Sequence, residues 1–160
     1  MALRMIEDVI AERFSGDMQK NALEFIAHLR ASDIVLNDSD NYFWNGEYKG
    51  KGVCVINIEL SNDGASFDTF INALPDAWDN NSASISERTK EIIWANVRPC
   101  DPSCDCGNKP TIDKIIFGKE CGKLCGSFLG IYDPDAETFS VMKRIVTGLK
   151  NDIEKRADTA

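Results

Sequence analysis

The sequence predicts an α+β fold: an antiparallel sheet packed by an N-terminal and a C-terminal helix, with a cysteine-rich metal knuckle. Three observations carry this. A β-branched run occupies residues 53–60 behind a glycine turn, amphipathic helical patterns stand near both ends, and five of the six cysteines crowd between Cys100 and Cys125.

Residues 15–30 read as the first helix. Met18, Ala22, Phe25, Ile26 and Leu29 recur every three or four residues and share one face, with Ser15 or Asp17 as candidate caps. Residues 41–60 read as a β-hairpin. Tyr42, Trp44 and Tyr48 lie in its first arm, Gly50-Lys51-Gly52 makes the turn, and residues 53–60 supply the best central strand. A further strand is expected over 65–73 after Asp63-Gly64, although Phe67, Phe70, Ile71 and Leu74 fit a helical period almost as well. Residues 84–96 read as a helix, with Ser84 and Glu87 in capping-box spacing, Ile85, Thr89, Ile92 and Ile93 as its buried stripe, and Pro99 ending it. Strands are expected at 112–117 and 127–132. In the last helix, Asp133 is expected to cap, with Pro134 at the first position and Asp135 and Glu137 at the positive end of the dipole. Phe139, Met142, Ile145, Val146, Leu149 and Ile153 form its apolar face.

At 160 residues, 43% hydrophobic and 28% charged, the chain has the composition of one folded domain spanning 1–160, with the knuckle at 98–126. Arg4, Glu7, Asp8, Glu12 and Arg13 interrupt any signal-peptide apolar region, and the longest apolar run, near 53–58, is too short to cross a bilayer. A cytoplasmic location without a membrane partner is therefore expected. Thiols are kept reduced there, so clustered cysteines point to metal or redox chemistry rather than to a disulfide framework.

The cysteine spacing is C-x3-C-x-C-x14-C-x3-C. Two short clusters joined by a strand or hairpin can bring four thiolates around one tetrahedral ion, and zinc accepts four sulfurs at about 2.3 Å. Pro102, Gly107, Gly122 and Gly126 are expected to supply tight turns. Between Arg98 and Cys125 the five cations and four anions give +1 within a chain of −8, which favours thiolates and offsets the charge of a four-thiolate site. The expected ligands are Cys100, Cys104, Cys106 and Cys125, with Cys121 as the alternative. An iron–sulfur cluster is the less favoured occupant, since the spacing matches neither ferredoxin pattern. The plain alternative is that several of these cysteines are small buried hydrophobes, the role expected of Cys54 in its strand.

No catalytic residue stands out. His28, the one histidine, lies beside the apolar stripe of the first helix and reads as structural. Neither a dinucleotide-binding glycine pattern nor a P-loop is present. Asp38, Asp40 and the carboxylates between Asp76 and Asp79 read as solvated loop charge, and Tyr42, Phe43, Trp44 and Tyr48 as core or the lining of a ligand cleft.

Four stretches carry a resemblance: Tyr48-Lys49-Gly50-Lys51-Gly52-Val53-Cys54, Glu91-Ile92-Ile93-Trp94-Ala95-Asn96, Phe117-Gly118-Lys119-Glu120 and Asp133-Pro134-Asp135-Ala136-Glu137. With them the last two-thirds of the chain resembles a set of uncharacterised bacterial cysteine-cluster proteins and, more distantly, the DUF3788 and YdhG-like α+β families. The resemblance implies a fold and no activity. The functional expectation is a metal-stabilised binding or interaction module, receiving a small molecule or protein on the sheet. A thiol or iron–sulfur redox protein and a small-molecule effector-binding domain are the alternatives.

Net charge −8 removes the nonspecific electrostatic term that dominates nucleic-acid affinity. Generic duplex DNA should therefore not be retarded in a gel-shift assay at physiological salt. Submicromolar, salt-sensitive binding would contradict the charge argument.

Overall fold

The computed structural model describes residues 3–39, 42–103 and 110–159. Its helices are α1 (Ile6–Arg13), α2 (Gly16–Ala31), α3 (Asp76–Asn80), α4 (Glu87–Asn96) and α5 (Ala136–Asp158). Its strands are β1 (Val35–Asp38), β2 (Phe43–Tyr48), β3 (Lys51–Ser61), β4 (Gly64–Ile71), β5 (Val97–Pro99), β6 (Ile112–Ile116) and β7 (Lys119–Tyr132). They form one antiparallel sheet in the order β1-β2-β3-β4-β7-β5, with β6 also paired to β7. The expected α+β architecture, with its antiparallel sheet and terminal helices, is present.

Pairing register separates two faces, because directly opposed residues share a side. Trp44, Ile56, Thr69 and Ile131 form one cross-strand row, and Cys54, Ile71 and Leu129 lie on the same side. This side is buried, and Phe67 there packs against Phe25 of α2 and Phe139 of α5, with ring centroids 6.5 and 5.7 Å away. Each such aromatic pair adds about 0.5–1.5 kcal/mol to the burial itself. The opposite side carries Phe43, Asn57, Asp68 and Tyr132 in one row and Asn45, Val55, Phe70 and Gly130 in the next. Tyr132 is 50% exposed and Phe43 36%, so this face opens to solvent.

The stretch expected at 65–73 resolves as strand through Ile71. Phe67, Thr69 and Ile71 alternate into the core while β3 and β7 pair with both edges of β4, and ladder hydrogen bonds on two sides outweigh a helical period that puts Phe70 on the wrong face. Several elements were not anticipated. The charged N-terminal stretch forms α1, which buries Ile6, Val9 and Ile10, and Glu7 makes an ion pair with Arg30 of α2. Residues 35–38 form the edge strand β1, so Asp38 is a strand residue, and Asp76–Asn80 is helical rather than loop. Asp40 lies outside the described residues.

Two caps shift by two residues. Ser86, not Ser84, caps α4 by accepting from the Thr89 amide, because Ser84 belongs to a 3-10 turn, Ser82–Ser84, while Ser86 has the extended backbone a cap needs. Glu87 then occupies the first helical position instead of completing a capping box. Asp135, not Asp133, caps α5 by accepting from the Thr138 amide at 2.7 Å, so Pro134 precedes the helix instead of starting it. Asp133 has φ +43° and serves the sheet: its N–H donates to Phe67 O and its Oδ1 accepts from Phe67 N, both at 2.9 Å. The helix before Pro99 ends at Asn96, and residues 97–99 continue as β5.

The long α5 also anchors α3. Pro75 has no side chain to cap α3, and buried Asp152 takes that role, its Oδ2 accepting from the Asp76 amide at 2.8 Å. One turn earlier Gly148 lies under Pro75, where an added Cβ would stand 2.4 Å from Pro75 Cγ. Gly148→Ala should therefore lower stability by about 1–3 kcal/mol despite the roughly 1 kcal/mol that alanine adds to a helix. Urea unfolding measures this, and a stabilised variant would show the contact to be slack.

Candidate functional site

Cys100, Cys121 and Cys125 lie where three strands meet. β7 pairs along one edge with β5, and Leu124 opposes both Pro99 of β5 and Ile112 of β6. The expected pair of turns around Cys121 and Cys125 is replaced by continuous strand. Gly122 and Gly126 lie within β7, and the turn is Phe117-Gly118, with φ of +50° and +80°. The strand is kinked at Lys123, φ +55°, whose amide donates to Asp113 Oδ1 at 2.9 Å.

Cys100 follows β5, and its amide donates to Lys123 O at 2.7 Å. It therefore stands beside β7 between Cys121 and Cys125. Those two are four residues apart on a strand, roughly 13 Å when fully extended and somewhat less across the kink. Two thiolates on one zinc lie no more than about 4.6 Å apart, twice the zinc–sulfur distance. The strand geometry thus disfavours joint ligation by Cys121 and Cys125. Cys121 packs against the buried core. Cys104 and Cys106 lie outside the described residues. Among the described residues no three His, Cys, Asp or Glu side chains gather as an ion site. Cys54 is buried in β3, as its strand position predicts, and burial pushes its thiol up to about 12.

Two residues before Cys100, the chain delivers Arg98 to the open face. Its guanidinium carbon lies 5.4 Å from the Phe70 ring centroid and 5.8 Å from that of Tyr132, and the two rings meet edge to face. Gly130 makes room for it, since a Cβ there would stand 3.1 Å from Arg98 Cδ and 3.2 Å from Tyr132 Oη. Beside them sits Asp68, 2% exposed although on the outer row. Ser66 donates to its Oδ2 at 3.3 Å, and Oδ1 is buried without a hydrogen-bond partner among the described residues. Burial pushes the Asp68 carboxyl up to about 6, with Asp133 and Glu59 adding repulsion, while the Ser66 hydroxyl and Arg98 oppose the rise. Sequence reasoning missed this group. Its signal is faint: a carboxylate between two aromatic residues, Phe67 and Phe70, in a strand otherwise free of charge.

Comparison with protein families, curated proteins and solved structures gives no match. His28 Nε2 lies 3.0 Å from Thr147 Oγ1 between α2 and α5, and burial lowers its pKa, which suits a neutral structural ring. Trp44, Tyr48 and Trp78 are core residues, and Trp94 donates from Nε1 to Ile116 O at 2.7 Å, so core packing is the role these aromatics take. Among the described residues no helix is long and apolar enough to cross a membrane.

The raised Asp68 pKa has a defined sign. Between about pH 4 and 6 the unfolded chain releases this proton while the folded chain keeps it, so stability falls as pH rises through that window. Asp68→Asn should therefore stabilise the protein at pH 7.5, by about 1–2 kcal/mol, and have much less effect at pH 4. Thermal or urea unfolding at both values tests it; equal effects at the two would show that ionisation is not responsible.

Proposed function

We propose that this chain is a non-enzymatic binding module, in which the 98–126 segment holds a structural zinc and the open sheet face receives a partner. The carrying observation is the position of Arg98. The same short stretch that leads into Cys100 lays a cation over Phe70 and Tyr132, next to the buried Asp68 carboxylate. A site fixing Cys100 would fix Arg98 with it, and aromatic and arginine side chains are the groups that dominate protein interfaces.

The residues that would hold zinc are Cys100, Cys104, Cys106 and Cys125. Four thiolates fill a tetrahedral sphere and leave no position for water or substrate, so the ion would serve stability rather than catalysis. Deprotonated thiolates are the ligands, and Arg98, Lys114, Lys119 and Lys123 are the described cations of a segment whose sequence balance favours them. A reduced, cytoplasmic setting suits this chemistry. The resemblance to DUF3788 and YdhG-like proteins adds an α+β fold to the proposal and no activity.

Elemental analysis of protein purified without added metal should find about one zinc per chain and no colour. Cys125→Ser should lose the metal and lower the thermal midpoint, whereas Cys121→Ser and Cys54→Ser should keep it. Brown, iron-containing protein would favour the redox alternative, and metal retained in both Cys104→Ser and Cys125→Ser would remove the basis for the site.

A further inference from the structure

At the opposite end of α5 from its cap, a cavity of about 640 Å3 opens between the β2–β3 turn, the end of β4 and the last turns of the helix. This volume is within the range of small-molecule sites. Its floor is apolar: Val53 and Leu74, each 2% exposed, face Leu149 and Ile153, which α5 leaves half-buried. Its mouth carries Lys49, Lys51 and Arg156. Arg156 is paired with Asp76 there, which leaves Lys49 and Lys51 as the cations open to a ligand.

The acidic groups at the same opening are already engaged. Asp152 accepts the Asp76 amide at 2.8 Å, and Asp76 accepts from Arg156 Nη2 at 3.2 Å. Among the described residues Lys51 makes no ion pair, and Lys49 lies over the Tyr48 ring at 5.4 Å. The walls are held in place. Tyr48 donates to Glu154 of α5 at 2.5 Å and has Lys150 5.1 Å from its ring centroid, which ties the hairpin end to the helix. The turn itself has φ +48° at Lys49 and +76° at Gly50, a two-residue hairpin turn that ordinarily prefers asparagine or glycine at the first position. Lysine accepts a strained backbone there, and the turn sets Lys49 and Lys51 at the mouth.

The geometry points to a binding site for a small amphipathic anion, an apolar body seated on Val53, Leu74, Leu149 and Ile153 with its acid group at Lys49 and Lys51. The site is independent of the cysteine segment and of the open sheet face. An apolar floor alone would accept neutral and cationic bodies equally, and the cationic mouth selects against the latter.

The probe is 8-anilinonaphthalene-1-sulfonate, followed by fluorescence with the full chain at neutral pH. Wild-type protein should bind it saturably, decanoate should displace it, and decylamine should not. Lys51→Glu should weaken binding about five- to tenfold. Ala157→Trp, at an exposed position on the cavity's helical wall, should abolish binding with the thermal midpoint unchanged. Tyr132→Ala, on the open sheet face, should leave binding as it is. Displacement by decylamine as effective as by decanoate, or full binding retained in both Lys51→Glu and Ala157→Trp, would overturn the assignment. None of these outcomes depends on zinc content, so failure here is separable from failure of the proposed metal site.

Discussion

A strand has two hydrogen-bonding edges, and β7 uses both for different purposes along its length. Its C-terminal part joins β4, which fixes the sheet to the helical layer. Its N-terminal part joins β6 through the Phe117-Gly118 turn, and β5 lies along the other edge. The placement of Cys100, Arg98 and Gly130 follows from that double pairing. If β7 stopped where its apolar run stops, at about Ser127, Cys121 and Cys125 would belong to an appended loop and Arg98 would have less strand to bring it across the sheet.

Much of the fold was legible because it rests on periodicity. The β3 run, the α2 stripe and the α5 stripe each bury a full face, and such patterns survive tertiary packing. The failures are local. Ser84 and Ser86 both have capping chemistry, and only the backbone conformation selects between them. Asp133 looked like a cap because it precedes a proline, yet its amide and carboxylate close the β4–β7 ladder, a partner 66 residues away that no local rule identifies. The start of β7 was hidden by its composition. Gly122 and Gly126, with Lys123 and Cys125 between them, read as turns, and only long-range pairing makes them strand.

The candidate sites were legible in a different proportion. Clustered cysteines are visible in any sequence, but that Cys121 packs on the core while Cys100 bonds across to Lys123 of β7 depends on strand pairing. Asp68 is invisible without the fold. Its neighbours in sequence suggest an ordinary amphipathic strand, and its meaning comes from Tyr132, Asp133 and Arg98, which arrive from elsewhere in the chain. The cavity likewise joins Lys49 and Lys51 to Leu149 and Ile153 of α5, far apart in sequence.

The two ends of the strand order are worth considering as surfaces that other chains could extend. An unpaired strand edge is a template for intermolecular β-pairing, the first step toward aggregation. Here β1 is only four residues long and finishes in Asp38, and β5 is three residues long and finishes in Pro99, which offers no N–H. Short, charged or proline-closed margins give a growing fibril little to hold. Lengthening β1 or replacing Pro99 would therefore cost solubility before it cost stability, and attempts to extend or graft onto this sheet should leave both margins as they are.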